Sequence, residues 1–575
     1  MTTNRRRHTL RYVVLVVAAG AIALAVRTAL QRPLTLTGSA PDDGYARISG
    51  AVHVHTRLSD GSGSPSDVIA AAHSAGLGFV VITDHNTLDA KAVEGYRSGV
   101  LVLVGSELST TAGHLLALGI PDPQFRFSGD VHDALDDIHY LGGAAFAAHP
   151  WHPRTDFRWT GWQLRGPWGI EIVNLDSDWR TSSWARVGWA ALAYAVNHRY
   201  GILSALDVPD DRLQQWDRLL AQRDVPAIVG SDAHARIQIG EGSFAYLPSY
   251  ESVFSVAKNH VLLNSPLSGN ALSDGRSVVA ALRRGASYTA IDGLASAEAF
   301  SFTAAVDGRR YTMGDVVPIV PNVRLIAGGR VPANTTLTLF RDGRELTHAV
   351  GAIDAPMPGQ GVYRVEARVA GWPFPWVITN PIYAFDEAAR RRRELNGDWE
   401  SEATPPTTAQ MLDTFDGPSA FRAGCDSSSF AAPDTIDPAG GVRGSGAARL
   451  SFRLGTGSTT PSVACELVDR QSRDLSGRGG LVFWIRGDGV YRVWVQVRDE
   501  NAETADRTET WFASVRTSPE WRRVKVPFAA MRSTEPKSDG ALDLRKVRAI
   551  GFVLDRGAVK LGTAGTIWID ELGVY

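Results

Sequence analysis

Short β-rich runs that end in histidine, aspartate or glutamate recur through the first half of the chain and alternate with helical stretches. Strands that alternate with helices favour a parallel sheet or a barrel. In barrels of this kind the active site lies at the C-terminal ends of the strands. The pattern therefore predicts an α/β fold whose polar strand ends form a site; the main runs are residues 48–56, 79–84, 101–105, 144–148, 170–174 and 227–230.

The first of these runs ends in His53-Val54-His55, and Asp60 follows shortly after. Alternate residues of a strand point to the same side, so both imidazoles could bind one metal ion. Such a pair is weak evidence alone, but four further strand ends each add a nitrogen or carboxylate ligand. The candidate metal ligands are His53, His55, Asp60, His85, Glu107, His114, His149, Asp232 and His234.

From residue 48 to about residue 293, these motifs resemble the polymerase and histidinol phosphatase (PHP) family. The resemblance implies a distorted (β/α)7 barrel with two or three divalent metal ions, for which Zn, Mn and Fe are compatible with mixed nitrogen and oxygen ligands. It assigns a first metal to His53, His55, Glu107 and Asp232. Glu107 would bridge to a second metal, which His114 and His149 complete, and a third metal would be held by Asp60, His85 and His234.

The resemblance implies hydrolysis of a small-molecule ester by a metal-bridging hydroxide, since metal binding lowers the pKa of water. The first hypothesis is a phosphoesterase acting on phosphomonoesters or phosphodiesters. The second is a carbamate or amide hydrolase using the same ligands. The third is a non-catalytic glycan-binding envelope protein, which is disfavoured because no ligand position is lost.

Residues on the substrate side are less constrained by the sequence. Asp60 and His85 are candidates for both metal binding and catalysis. His152 is a candidate general acid, with an ordinary surface loop histidine as the alternative. Arg154 could recognise a phosphate through paired hydrogen bonds or be solvated. The tryptophan-rich segment from Trp151 to Trp189 could wall the pocket or simply pack.

Residues 1–45 contain three arginines (residues 5–7), an apolar run from Tyr12 to Val26, and a Pro/Gly-containing linker from residue 31. The run predicts either a single-pass membrane anchor or a cleaved signal peptide. Under both interpretations, the domains that follow this segment are exported. An anchored protein would have its catalytic domain outside the cytoplasm, and a protein whose signal peptide is cleaved would be secreted. The net charge of −2 gives no indication of nucleic-acid binding.

The chain after the candidate hydrolase domain (residues 46–298) is predicted to be mostly β. Residues 299–385 resemble an immunoglobulin-like sandwich, and residues 386–410 are predicted to be a linker. Residues 411–575 resemble a galactose-binding-like jelly roll of the carbohydrate-binding-module type, which implies a glycan or cell-envelope ligand. Cys425 and Cys465 could form a disulfide or remain thiols. Four tryptophans could stack on sugars or pack in the core: Trp484, Trp494, Trp511 and Trp521.

Overall fold

A computed structural model describes residues 15, 19–121, 127–206, 210–240, 242–397, 409–456, 464–504, 506–533 and 535–575. The chain forms two compact units. The first comprises Met1–Gln124 and Gly129–Trp399, and the second comprises Phe125–Ser128 and Glu400–Tyr575.

The helices of the first unit begin and end where the sequence supplies caps. Ser64 and Asp67 form a capping box at the start of one helix, and Gly285 ends another with a left-handed φ of 79°. The helices are α1 (residues 19–29), α2 (Pro65–Ser74), α3 (Val131–Tyr140), α4 (Leu175–Arg180), α5 (Trp184–Val196), α6 (His198–Ala205), α7 (Asp210–Leu220), α8 (Tyr250–Phe254), α9 (Ala271–Arg284) and α10 (Glu387–Gly397).

The strands of the first unit fall into two groups, which divide near residue 295. The earlier strands are β1 (Leu36–Thr37), β2 (Ala46–Val54), β3 (Phe79–Ile82), β4 (Gly95–Arg97), β5 (Val100–Val104), β6 (Ser106–Thr110), β7 (Gly113–Leu118), β8 (Ala144–Ala147), β9 (Trp168–Asn174), β10 (Ala227–Ala233), β11 (Ile237–Gly240), β12 (Ser243–Ala245), β13 (Lys258–Leu263) and β14 (Ser287–Ala290). The later strands are β15 (Phe300–Val306), β16 (Arg309–Thr312), β17 (Arg324–Gly329), β18 (Val331–Pro332), β19 (Thr335–Arg341), β20 (Arg344–Val350), β21 (Ile353–Pro356), β22 (Gly361–Val369), β23 (Val377–Thr379) and β24 (Ile382–Ala384).

Pairing among the earlier strands follows one continuous path between β5 and β6. β2 pairs with β3 and β3 with β5, all in parallel. The chain continues from β5 into β6, which pairs with β7, and the path returns through β8, β9 and β10 to β2. β7 is antiparallel to both of its neighbours, and no helix separates it from β6. The α/β architecture predicted from the alternating pattern is present, with this hairpin as a departure from regular alternation.

The later strands form two sheets, as a sandwich requires. β16, β15, β17 and β21 form one sheet, and β20, β19, β22 and β23 belong to the other. The second sheet is continuous with the first group of strands, because β23 pairs with β14 through Tyr288↔Thr379, Thr289↔Ile378 and Ala290↔Val377. The predicted sandwich is therefore hydrogen-bonded directly to the predicted hydrolase domain.

A buried ion-pair network also joins the sandwich to the helices. Arg364 on β22 donates from Nε and Nη2 to the two carboxylate oxygens of Asp217 on α7, each at 2.7 Å. Its Nη1 donates to Glu366 at 2.7 Å. The guanidinium lies over the ring of Phe340, 4.4 Å from its centroid. Each nitrogen of this buried cation thus donates to a carboxylate.

Both segments predicted as linkers have described structure. In the first, β1 pairs with β18, and Leu34 donates its N–H to the carbonyl of Leu294. In the second linker, Glu387–Gly397 form α10, and Arg393 on this helix forms an ion pair with Asp224. Residues 398–408 of that linker lie outside the described residues.

The predicted N-terminal anchor or signal lies partly outside the described residues, since residues 1–14 and 16–18 are not described, whereas residues 19–26 of its apolar run belong to α1. Within the described part of the chain, no helix is both long and apolar enough to cross a membrane.

The second unit consists of two sheets around one apolar core. Its strands are β25 (Gln410–Asp413), β26 (Arg422–Cys425), β27 (Phe430–Ala431), β28 (Ile436–Asp437), β29 (Ala447–Arg453), β30 (Ala464–Asp469), β31 (Gly480–Gly487), β32 (Arg492–Glu500), β33 (Thr508–Arg516), β34 (Arg522–Pro527), β35 (Val547–Asp555) and β36 (Ala564–Val574). One sheet runs β27-β29-β36-β31-β34 and the other β26-β30-β35-β32-β33. This agrees with the predicted jelly-roll sandwich.

The two cysteines and four tryptophans of this unit have distinct environments. Cys425 and Cys465 are opposite each other on β26 and β30 and form a disulfide. Trp511 belongs to the core. Trp484 and Trp494 instead donate their indole N–H groups to Glu571 and Asp555, and the ring of Trp521 lies under the guanidinium of Arg486. The packing interpretation therefore holds most directly for Trp511.

We expect Asp217→Ala to lower the free energy of unfolding of the first unit by about 3 kcal/mol, because it leaves part of the buried Arg364 cation unpaired. The matched control is Asp354→Ala, which removes an exposed partner of Arg324 and should cost less than about 1 kcal/mol. Chemical denaturation of both variants checks this. Equal effects of the two substitutions would contradict a structural role for the Arg364 network.

Candidate metal centre

All nine predicted metal ligands come together at the ends of the earlier strands of the first unit. His53 and His55 lie at the end of β2, Glu107 on β6, and Asp232 near the end of β10. The nine residues form four overlapping groups, within each of which the potential ligand atoms lie within 4.8 Å of one another. The groups are His55/Asp60/His85/His234, His53/His149/Asp232, His53/His55/Glu107 and His85/Glu107/His114.

The carboxylate of Glu107 lies at the middle of this cluster and is 1% exposed. Its Oε2 is 3.0 Å from Nε2 of both His53 and His55 and 3.4 Å from Nδ1 of His85. Its Oε1 is 2.8 Å from Nδ1 of His114 and 2.9 Å from Nε2 of His149. Each oxygen thus faces a different set of imidazoles, as the bridging role implied by the resemblance requires.

The grouping differs in part from the partition implied by the resemblance. His149, assigned there only to the second metal beside Glu107, is also grouped with His53 and Asp232. His55, assigned to the first metal, also belongs to the group around Asp60. The centre is therefore one continuous cluster with shared ligands.

The group around Asp60 is the open side of the centre. The side chain of Asp60 is 42% exposed and that of His85 is 26% exposed, whereas His53 is fully buried. Asp60 Oδ2 lies 3.2 Å from Nε2 of His234. A substrate approaching from solvent would therefore meet Asp60 and His85 before the buried ligands.

Three of the ligands have left-handed backbone conformations, which cost about 1–3 kcal/mol each for non-glycine residues. The φ angles are 70° at His53, 30° at His149 and 45° at Asp232. The pairing of β2 with β3 shifts register between Val52 and Val54, so His53 sits in a bulge. Regular strand alternation, from which the His53–His55 pair was predicted, is therefore the wrong reason for their convergence: the bulge re-aims His53.

Glu171 is part of this site, although it was not among the predicted residues. It is 1% exposed on β9, its Oε1 is 2.7 Å from Nδ1 of His53, and its Oε2 accepts the N–H of His149 at 2.6 Å. Because Glu171 accepts a hydrogen bond from Nδ1 of His53, Nε2 of the same ring is left to face the other metal ligands. A methyl group on Gly230 would lie 1.9 Å from Oε1, so the glycine makes room for this carboxylate. A charged residue within the apolar run 170–173 was the available sequence signal.

Asp84, which directly precedes His85 in the sequence, bonds to the segment that follows β2. Its carboxylate accepts from the N–H of Thr56 at 2.7 Å, the hydroxyl of Thr56 at 2.8 Å and the hydroxyl of Ser59 at 2.6 Å. These bonds fix the turn that joins His55 to Asp60.

Opposite charges dominate the electrostatics of the centre. Burial alone would lower the pKa of His53, but the carboxylates of Asp232, Glu171 and Glu107 raise that pKa well above its usual value. Burial likewise opposes the charge on His55, yet Asp232 and Glu107 raise its pKa to about 9. Burial raises the pKa of Glu107, but the surrounding imidazoles outweigh it and hold that pKa well below its usual range. Cations entering the cluster would therefore displace protons from the imidazoles.

The donor set fits divalent transition metals, which mixed imidazole and carboxylate ligands suit. Three buried imidazole nitrogens have no hydrogen-bond partner among the described residues: His55 Nε2, His85 Nδ1 and His149 Nδ1. The first lies close to Glu107 but not in hydrogen-bonding alignment. A buried nitrogen without a partner costs about 1–3 kcal/mol, and binding a cation is one way to offset this cost.

The predicted substrate-side residues lie beside the cluster. The ring of His152 is 5.3 Å from that of His149, and its Nδ1 accepts the N–H of Arg154 at 3.1 Å. Burial, then the nearby His149, lowers the pKa of His152 to about 4, so the ring is neutral at pH 7. The general-acid role of His152 and the phosphate-binding role of Arg154, whose guanidinium lies over Phe157, stay predictions.

We expect Glu171→Gln to weaken metal binding roughly 10–100-fold, the usual effect of removing a partner that orients a ligating histidine. Metal titration followed by elemental analysis measures it. Glu251→Gln, an exposed substitution on α8, is the control and should leave affinity unchanged. If Glu171→Gln bound metal as tightly as the unaltered protein, the orienting role would be wrong.

Comparison with known proteins gives separate results for the two ends of the chain. Residues 400–573 match the family described as Carbohydrate binding domain (family 11). A solved structure similar to this part is a family 11 carbohydrate-binding module from Clostridium thermocellum in complex with a β-1,3-1,4-mixed-linked tetrasaccharide. It is 17% identical, covers 29% of this chain and 94% of its own, and has a TM-score of 0.24.

Another similar structure is a two-domain protein from Bacteroides vulgatus containing a predicted PHP-like metal-dependent phosphoesterase. It is 18% identical, covers 61% of this chain and 99% of its own, and has a TM-score of 0.27. A third relative is the uncharacterized protein MJ1587 of Methanocaldococcus jannaschii, which is 30% identical over 117 residues, 18% of this chain and 67% of that protein. The chain belongs, over this stretch, to the same family as MJ1587.

Proposed function

We propose that this chain is an exported metal-dependent phosphoesterase of the PHP type, with its active site at the cluster around Glu107 in a distorted (β/α)7 barrel. The observation that supports this most strongly is the contact of both Glu107 oxygens with five imidazoles at 2.8–3.4 Å. A carboxylate shared in this way suits adjacent divalent cations, which clamp the oxygens of an ester undergoing displacement.

The nine ligands would hold two or three such cations, which would supply Lewis-acid polarisation of the ester and an acidified water molecule. The chain's own contribution is positional. Glu171 orients His53, and Asp84 fixes the turn that presents Asp60. Burial of His53, Glu107 and Asp232 keeps bulk water from the inner side of the cluster, while Asp60 and His85 leave the outer side open.

The second unit would hold the enzyme on a carbohydrate surface. The match of residues 400–573 to a carbohydrate-binding family supports this. The Cys425–Cys465 disulfide supports an oxidising location outside the cytoplasm, as does the charged and apolar N-terminus. We extend the proposal to a protein attached to the cell membrane by its N-terminal segment, or secreted if that segment is cleaved.

We expect protein loaded with Mn²⁺ or Zn²⁺ to hydrolyse 4-nitrophenyl phosphate or bis(4-nitrophenyl) phosphate, but not a 4-nitrophenyl carbamate. Asp232→Ala should abolish turnover, because it removes a buried ligand that lies 3.3 Å from His53 Nε2. Release of 4-nitrophenol is the measurement. Turnover of the carbamate alone would favour the amide or carbamate hydrolase, and turnover that survives Asp232→Ala would place the chemistry elsewhere.

We also expect the full chain to be retarded in native gels that contain a soluble polysaccharide, with a panel that includes mixed-linked β-glucan, xylan and a cell-envelope glycan. Asp232→Ala should be retarded to the same extent, since the ligand belongs to the first unit. Equal mobility in every glycan and in the glycan-free gel would count against a carbohydrate-binding second unit.

A further inference from the structure

A mostly apolar cavity of about 440 Å³ adjoins the metal centre, and Asp232 and His234 form part of its wall. The volume lies within the usual range for small-molecule sites. The rest of the lining comes from α4, α5, α6, the neighbours of Asp232 and His234 along the chain, the segment around Leu247 and Pro248, and Val253 on α8. The same two residues thus face the metal cluster and the cavity.

The helices that build the cavity belong to the long segment between β9 and β10. Trp179 on α4, Val187 and Ala190 on α5, and Ile202 on α6 provide apolar surface. Gly201 allows α6 to pack directly on α5, since a methyl group there would lie 2.5 Å from the Cα of Tyr194. The hydroxyl of Tyr194 is fixed by Ser252 at 2.9 Å. The inner surface is therefore formed by packed helices.

Two charged side chains line the cavity outside the metal cluster. Asp176 on α4 accepts from Nε of Arg180 at 2.9 Å, and the guanidinium of Arg236, between β10 and β11, lies 4.7 Å from the centroid of the Phe244 ring. Between the helices, away from Arg236, a charged group of a ligand would lose its hydration without gaining a dedicated partner. An apolar group would gain free energy by leaving water.

From these observations we infer that the cavity binds the apolar part of the ester substrate, so that the enzyme acts on amphiphilic esters. The polar ester group would lie at the metal cluster, and an alkyl or aryl group would lie between α4, α5 and α6. The inference rests on the proposed function only for the reaction. The binding preference can be measured without any turnover.

Calorimetry with metal-loaded protein tests the inference, using methylphosphonate and octylphosphonate, the latter below its micelle-forming concentration. Their P–C bond is not an ester bond, so the proposed enzyme cannot hydrolyse them during the titration. Each methylene moved from water into an apolar site contributes about fourfold in affinity. We expect octylphosphonate to bind at least about tenfold more tightly than methylphosphonate. Equal dissociation constants for the two ligands would overturn the inference.

Ala190→Phe should fill the cavity and remove the preference for octylphosphonate while leaving methylphosphonate binding unchanged. The control is Ala195→Phe on the same helix, because Ala195 is exposed and outside the lining; it should retain the preference. Ile202→Ala provides a second test that enlarges the cavity, and it should shift the preference toward decylphosphonate. Retention of the original octyl preference in both Ala190→Phe and Ile202→Ala would place the apolar group elsewhere.

The two proposals fail in distinguishable ways. A cavity-dependent preference for octylphosphonate without hydrolysis of any phosphoester would retain the apolar site and reject the phosphoesterase. Hydrolysis of 4-nitrophenyl phosphate with no chain-length preference would retain the phosphoesterase and reject the apolar site.

Discussion

A buried carboxylate surrounded by imidazoles is the constraint on which the arrangement of the first unit depends. Glu107 cannot leave water without compensation, and its compensation comes from residues at the ends of several strands. The backbone of Glu107 donates to the carbonyl of Thr83 and accepts from the N–H of Asn86, while β6 pairs with β7 on its other side. The strand that places the carboxylate is thus also bonded to the segment that follows β3 and carries His85.

The backbone strain at the metal centre follows from the same requirement that imidazoles surround the buried Glu107 carboxylate. Ligands from different strands reach one point only if some of them leave the regular conformation, and His53, His149 and Asp232 do so with positive φ. Glu171 stabilises two of these positions, because one oxygen contacts the ring of His53 and the other accepts the N–H of His149. Such local strain is retained where surrounding contacts determine the conformation.

The sequence predicted the ligand types and their convergence because polar residues at strand ends are a strong local signal. It did not predict Glu171, because a residue that supports a ligand has no motif of its own. The sequence also did not predict the bulge at His53, because a register shift depends on the pairing of β2 with β3 and β10. The same limit applies to the later strands: their β character was evident, but their attachment through Tyr288↔Thr379 is a non-local pairing.

The segment between β9 and β10 shows why composition alone left its role open. The tryptophans on β9 and in this segment serve different purposes. Trp168 is buried on β9, Trp179 lines the cavity, and Trp184 is 89% exposed at the edge of the cavity. The hydrolase proposal needs only the ligands at the strand ends, and those leave the choice of ester undetermined. The helices of this segment provide the shape and polarity beside Asp232 and His234. Substrate choice should therefore depend on the helices between β9 and β10, while the type of reaction depends on the ligands at the strand ends.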